Sequence, residues 1–237
     1  MRLDKMLAHS GFGSRKEVKA ILKRGLVMVD GSVVTRPEYR LDVNSSKVFV
    51  NNEEIKYEKY IYLMMNKPVD VISATVDEFE TTVIDLLDDE YAWFDLFPVG
   101  RLDKDTTGLI ILSNDGKFAH SALSPKKHVE KVYHARISQP LEQRHKAAFA
   151  AGITLDDGYQ TMPAGLTALD NGLVEVTIKE GKFHQIKRMF KAIGLEVQSL
   201  HRHSFADIAL DYALPPAAYR RLNDDEMAKI ANIISKD

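Results

Sequence analysis

From Tyr60 onward, four strand-like runs follow one another before any helix-like run, and this order constrains the fold of the 237-residue chain more than any other feature. The strand-like runs are 60–65, 71–74, 108–112 and 132–137, each apolar and rich in β-branched or aromatic residues. The first helical periodicity after them spans 142–150, and a strand-like run (174–178) and a helix-like one (183–193) follow. Two more strand-like runs (196–200, 208–210) then precede two helix-like ones (217–222, 224–234). A doubly wound parallel sheet needs a crossover helix between successive strands. The pattern therefore predicts an α+β fold with a mixed, mostly antiparallel sheet flanked by helices.

The first sixty residues follow a different plan. Leu3, Met6 and Leu7 fall at i, i+3, i+4, as do Val18, Ile21 and Leu22, so two short amphipathic helices are expected with a break at Gly11-Phe12-Gly13. Ser14 and Glu17 have the spacing of a capping box that opens the second helix. Short strands are expected at 26–29, 32–35 and 47–50, with Asp30-Gly31 as the turn joining the first two. Residues 2–24 carry seven Lys or Arg against two acids, although the whole chain has a net charge of −2. Arg2 and Arg15 lie on these helices, and Lys16, Lys19 and Lys23 share one face of the second. The run RLDKMLAHSGFGSRKEVKAILKRGLVMVDG resembles the S4 RNA-binding module, in which such a helix pair meets structured RNA. With Asn51–Glu54 as the last turn of that module, the expected division is 1–58 and 59–237.

Composition excludes several classes. With no cysteine there is no disulfide framework, thiolate nucleophile or cysteine-rich zinc site, and the eight histidines form no metal-binding spacing. The amphipathic, charged N-terminus lacks the apolar core of a signal peptide and no run reaches membrane-spanning length, so a cytoplasmic protein without membrane association is expected. Glu78 to Asp95 contains seven acids and no Lys or Arg. This segment is expected to face away from phosphates, with Trp93 and Phe94 as core anchors.

The chemistry concentrates in VGRLDKDTTGLIIL at 99–112, where a turn runs directly into an apolar strand. Side chains at such a junction are held by the scaffold yet open to a ligand, which singles out Arg101, Asp103 and Thr107. An EF-hand reading fails, because position twelve would be Asn114 where a bidentate Glu is needed and a strand replaces the middle ligands. A magnesium-dependent D-x-D-x-T phosphotransferase would want the motif on a buried strand opening a Rossmann-like domain, with a later acidic pair such as Asp156-Asp157 or Asp224-Asp225.

The full string GRLDKDTTGL, taken with MNKPVDVISA at 65–74, EKVYHARI at 130–137, EGKFHQIKRMFKAIG at 180–194 and LHRHSF at 200–205, resembles the RsuA-like ribosomal pseudouridine synthases along nearly the whole chain. The resemblance implies uridine isomerisation in ribosomal RNA without cofactor or metal. It implies that Asp103 is the essential acid, that Lys187 forms its salt bridge, and that Tyr133 stacks on the uracil. Arg101 is expected to hold the flipped state, and Arg188 and Lys191 to contact phosphates. DxDTTGL with HQIKRM is closest to the 16S small-subunit enzymes, with free rRNA or the assembling small subunit as partner and a monomer expected. A 23S target, a non-catalytic S4-type assembly protein and, at a distance, the magnesium-dependent D-x-D-x-T phosphotransferase are the alternatives. Ala206-Asp207 depart from the glycine usual in the family after LHRHSF.

Overall fold

The computed structural model describes residues 1–235, which divide into two compact units: residues 1–61 with 87–96, and residues 62–86 with the chain from 97 onward. In the first unit, α1 (Leu3–His9) and α2 (Arg15–Lys23) precede β1 (Val27–Val29), β2 (Ser32–Val33), β3 (Val48–Val50) and β4 (Glu53–Ile55). The strands form an antiparallel sheet in the order β2-β1-β3-β4. The capping box forms as expected: Ser14 N donates to Glu17 Oε2 at 2.7 Å, and Ser14 Oγ accepts from Glu17 N. Leu3, Met6, Leu7, Val18 and Leu22 pack with Val27, Val29, Val48 and Val50 into one buried cluster. Asp30 and Gly31 both have positive φ, as a tight two-residue hairpin turn requires.

Two expectations fail in this unit. Of the tract 51–54, only Asn51 and Asn52 turn, with φ of 50° and 70°, and Glu53 then starts β4, which gives β3 a partner on its open edge. Trp93 is 41% exposed, and Tyr91 is the buried aromatic of the 87–96 segment.

In the second unit the elements are β5 (Tyr62–Lys67), β6 (Phe97–Pro98), β7 (Thr106–Ser113), α3 (Gly116–Leu123), β8 (Lys131–Ile137) and α4 (Gln143–Ala151). They continue with β9 (Gly165–Ala168), β10 (Leu173–Ile178), α5 (Gln185–Ala192), β11 (Val197–Phe205), β12 (Ile208–Ala209), β13 (Tyr219–Arg221) and α6 (Asp224–Ser235). The main sheet runs β13-β5-β7-β11-β8-β10-β9, with β12 on β11 and β6 on β7. Every pairing is antiparallel except β7 with β11. The mixed, mostly antiparallel α+β architecture is thus the one the strand order predicts. Phe118 and Ala122 of α3 and Ile230 of α6 pack on Leu109 and Ile111 of β7, while Phe149 of α4 meets Phe190 of α5 at 4.9 Å between ring centroids.

Four local expectations are corrected here. Residues 71–74 form no strand, only a single bridge between Ile72 and Thr82. Residues 217–222 are not helical: Ala217 has φ 72° and Tyr219–Arg221 pair with Leu63–Met65 at the sheet edge. Helix α3 is unanticipated, although Asp115 caps it through Lys117 N and Phe118 N at 2.9 and 3.2 Å. Strand β9 also lacks a sequence signal; Gly165 and three mostly exposed residues hide its pairing with β10.

Candidate active site

The turn carrying Asp103 is held from below by the 67–73 segment. Lys67, with no exposed surface, directs its Nζ to the carbonyl oxygens of Pro68, Thr106 and Lys104 at 2.9, 2.9 and 3.3 Å. Burial pushes its pKa down to about 8, against the pull of the Asp105 and Asp103 carboxylates. Ser73 Oγ accepts from Leu102 N and donates to Leu102 O, each at 2.9 Å, and Asp70 N donates to Lys104 O at 3.0 Å. Two sequence motifs some thirty residues apart are therefore one structural device: the first locks the backbone from which the second presents its acid.

Helix α5 supplies the opposing charge. Ile186, Met189 and Phe190 are buried, which turns Lys187 outward over the 103–105 turn. Its Nζ lies 2.9 Å from Asp103 Oδ2 and 2.5 Å from Asp105 Oδ1. Burial alone would lower the Lys187 pKa, but the hydrogen bonds to Asp105 and Asp103 outweigh it and hold the pKa above the ordinary lysine value. The Lys187 bond in turn holds Asp105 below the usual carboxylate range.

Asp103 and Lys187 line a small open cleft, with Tyr133, Thr106, Leu200 and Arg101 among its walls. Tyr133 projects from β8, 7% exposed, and its hydroxyl makes no hydrogen bond among the described residues. Arg101 is exposed at the rim and likewise unpaired. Thr107 points elsewhere, with its Oγ1 2.9 Å from His201 Nδ1. Such a cleft can hold one planar ring against Tyr133 with a carboxylate beside it.

The contacts of two further residues were not expected from the sequence. His184 has a left-handed backbone (φ 49°), which delays the helix start from 183 to Gln185 and brings His184 Nε2 to 3.6 Å from Asp103 Oδ1. Asp105 shares the Lys187 ammonium. The αL turn is a tertiary feature that helical periodicity hides. The other expected contacts are scattered. Arg188 is gripped by Asp156 and Asp157, the second at 2.7 Å, whereas Lys191 is exposed with no partner among the described residues. In the first unit Arg15, Lys16, Lys19 and Lys23 are exposed on α2, while Arg2 pairs with Asp4 at 2.8 Å. Asp224 and Asp225 lie in the first turn of α6. Ala206 and Asp207 both adopt positive φ (57° and 61°) in the turn joining β11 to β12, which accounts for a glycine preference there.

The profile of the RNA pseudouridylate synthase family matches residues 61–192, and that of the S4 domain matches residues 1–46. The uncharacterized RNA pseudouridine synthase YtzG of Bacillus subtilis is 46% identical over 96% of this chain and 97% of its own length. The ribosomal small subunit pseudouridine synthase A of Vibrio cholerae is 40% identical, covering 97% of this chain and 99% of that protein. Its Escherichia coli K12 counterpart is 36% identical, covering 97% and 100%. A crystal structure of a pseudouridylate synthase superposes with a TM-score of 0.68 at 34% identity, over 97% of this chain and 99% of that one. No helix among the described residues is long and apolar enough to cross a membrane.

Proposed function

This chain belongs to the RNA pseudouridylate synthase family and carries an S4 domain at its N-terminus, and from that premise we propose that it isomerises one uridine of 16S ribosomal RNA to pseudouridine. The observation that carries the reading is the Asp103–Lys187 pair at 2.9 Å in a cleft shared with Tyr133. The 16S target draws on the relatives named as small-subunit enzymes.

In this reading the uridine leaves its stack and enters the cleft, at a cost of a few kcal/mol. The uracil ring lies against Tyr133, and Arg101 at the rim contacts the phosphate that follows it out. Asp103 attacks C1′ or removes the C2′ proton, and either route breaks the bond from C1′ to N1; the base turns and rejoins through C5 as the Asp103–C1′ bond breaks or the proton returns to C2′. The C5 proton is lost and N1 gains one, so the sum of atoms is unchanged and the reaction needs no oxidant and no second substrate. Lys187 balances the Asp103 charge where water is excluded and fixes the carboxylate rotamer. The exposed lysines of α2 bind phosphates, so residues 1–58 supply affinity and 59–237 supply chemistry.

The test is Asp103→Asn, which removes the charge and almost no volume. Turnover on 16S rRNA transcripts is expected to fall by at least about 10³-fold with RNA affinity within a factor of about two. In cells lacking the gene, one 16S pseudouridine should be missing, restored by the wild-type chain and not by the variant. A deletion strain with its full set of 16S pseudouridines would overturn the target.

A further inference from the structure

The loop between β10 and α5 carries a ring that the chemistry at Asp103 leaves unused. Phe183 is 76% exposed, yet it is not loosely held. Its ring stacks on that of His184, with 3.8 Å between centroids and 20° between planes, and His184 in turn reaches Asp103. The loop is pinned by buried polar groups: Glu180 accepts from Met162 N and Gln185 Nε2 at 2.9 Å and from Tyr159 OH at 2.7 Å, while Lys182 N donates to Gln185 Oε1 at 2.9 Å. Phe183 is thus the outer step of a two-ring stack that begins at the catalytic cleft, and its ring stacks on no aromatic other than His184 among the described residues.

We propose that this outer face of Phe183 is a stacking platform for the unpaired nucleobase adjacent to the uridine drawn into the cleft, with Lys191 meeting the phosphate beside it. The inference rests on the RNA-uridine reading above. A base extruded from its stack leaves its neighbour with one face open, and a fixed aromatic ring beside the cleft restores that contact. Charge favours nucleic acid over an apolar peptide as the occupant. Phe183 and His184 border a shallow depression lined also by Lys187, Arg188, Lys191, Asp156 and Asp157; the two aspartates are taken up by Arg188 and Lys187 by the Asp103 turn, which leaves Lys191 as the cation there with no partner among the described residues. An aromatic face beside an unpaired cation is the arrangement that holds a base and its phosphate together. Because every base offers a π-face, the platform positions the strand without choosing its sequence.

The experiment compares Phe183→Ala and Phe183→Trp on rRNA transcripts. Since the ring is mostly in water, both variants should melt with the wild-type protein. Phe183→Ala is expected to raise KM by about 5- to 150-fold with kcat within about twofold, and Phe183→Trp to restore KM. In a Trp93→Phe background the new indole becomes the only tryptophan, and its fluorescence should be quenched on RNA binding but not by a transcript abasic beside the target. Wild-type KM for Phe183→Ala, or equal quenching by the abasic transcript, overturns the platform. If the 16S transcript is not modified and a 23S transcript is, the target is wrong, and the same two readings on 23S RNA still decide the platform.

Discussion

Gly108 shows how tightly single residues are constrained around this site. Its φ is +102°, and a Cβ there would lie 2.4 Å from Arg202 O and 2.7 Å from Arg202 N, because β7 and β11 run side by side at this point. Backbone atoms cannot yield as a flexible side chain can. Gly108→Ala is therefore expected to cost roughly 3 kcal/mol, the sum of a left-handed backbone penalty and an overpacked contact. A fall in the urea midpoint without a change in slope would register it; an unchanged midpoint would deny the close approach. At this scale the sequence reading reached the Asp103–Lys187 pair but not the groups around it. Asp103 stood out at a turn running into an apolar strand, whereas Lys187 and Tyr133 were singled out by the resemblance of their motifs to a known family. The contacts of Asp105 and His184 with that centre were not legible, since they depend on a left-handed turn that no local periodicity encodes.

Among the elements, α6 depends on a polar cap. Asn223 Oδ1 accepts from Glu226 N at 2.9 Å, and Glu226 Oε2 accepts from Asn223 N at 2.8 Å, a reciprocal box whose carboxylate is also held by Arg220 at 2.8 and 2.9 Å. Burial would raise the Glu226 pKa, but the bonds from Arg220 and Asn223 prevail and hold it below the ordinary glutamate value of 4.5. A lowered folded-state pKa gives stability that is fully present above the unfolded value and lost as pH falls through the folded one. Glu226→Gln is expected to destabilise by about 1–3 kcal/mol at pH 7. The deficit should shrink as pH drops below about 4.5, read as converging melting temperatures of variant and wild type; a constant gap would contradict the linkage. Elements with local signals, the capping box and periodicity of α2 and the apolar stripe of α5, were largely legible. Strand β13 was not, because its identity comes from hydrogen bonds to β5 across more than 150 residues.

Across the whole molecule, a slightly acidic chain keeps a basic surface on one helix. Reversing Lys16, Lys19 and Lys23 to Glu should weaken rRNA binding and flatten the slope of log K against log salt by roughly 2–3, with kcat at saturating RNA unchanged. An unaltered slope would remove α2 from the RNA interface. Charge reversal is a cleaner test than deleting residues 1–58, because residues 87–96 fold into the same unit and would lose their support. That insertion was invisible in the sequence, where 78–95 forms one acidic run. The sequence by itself determined the fold class, through strands that succeed one another without crossover helices. It also determined the capped helix α2 and the Asp30-Gly31 turn, both carried by nearest neighbours. Only the tertiary structure decided that β7 and β11 run parallel, that a buried Lys67 holds the Asp103 turn, and that Asp105 and His184 join the Asp103–Lys187 pair. The physical reason is range: periodicity and capping act within a few residues, whereas those contacts exist only once the sheet has closed and its core has excluded water.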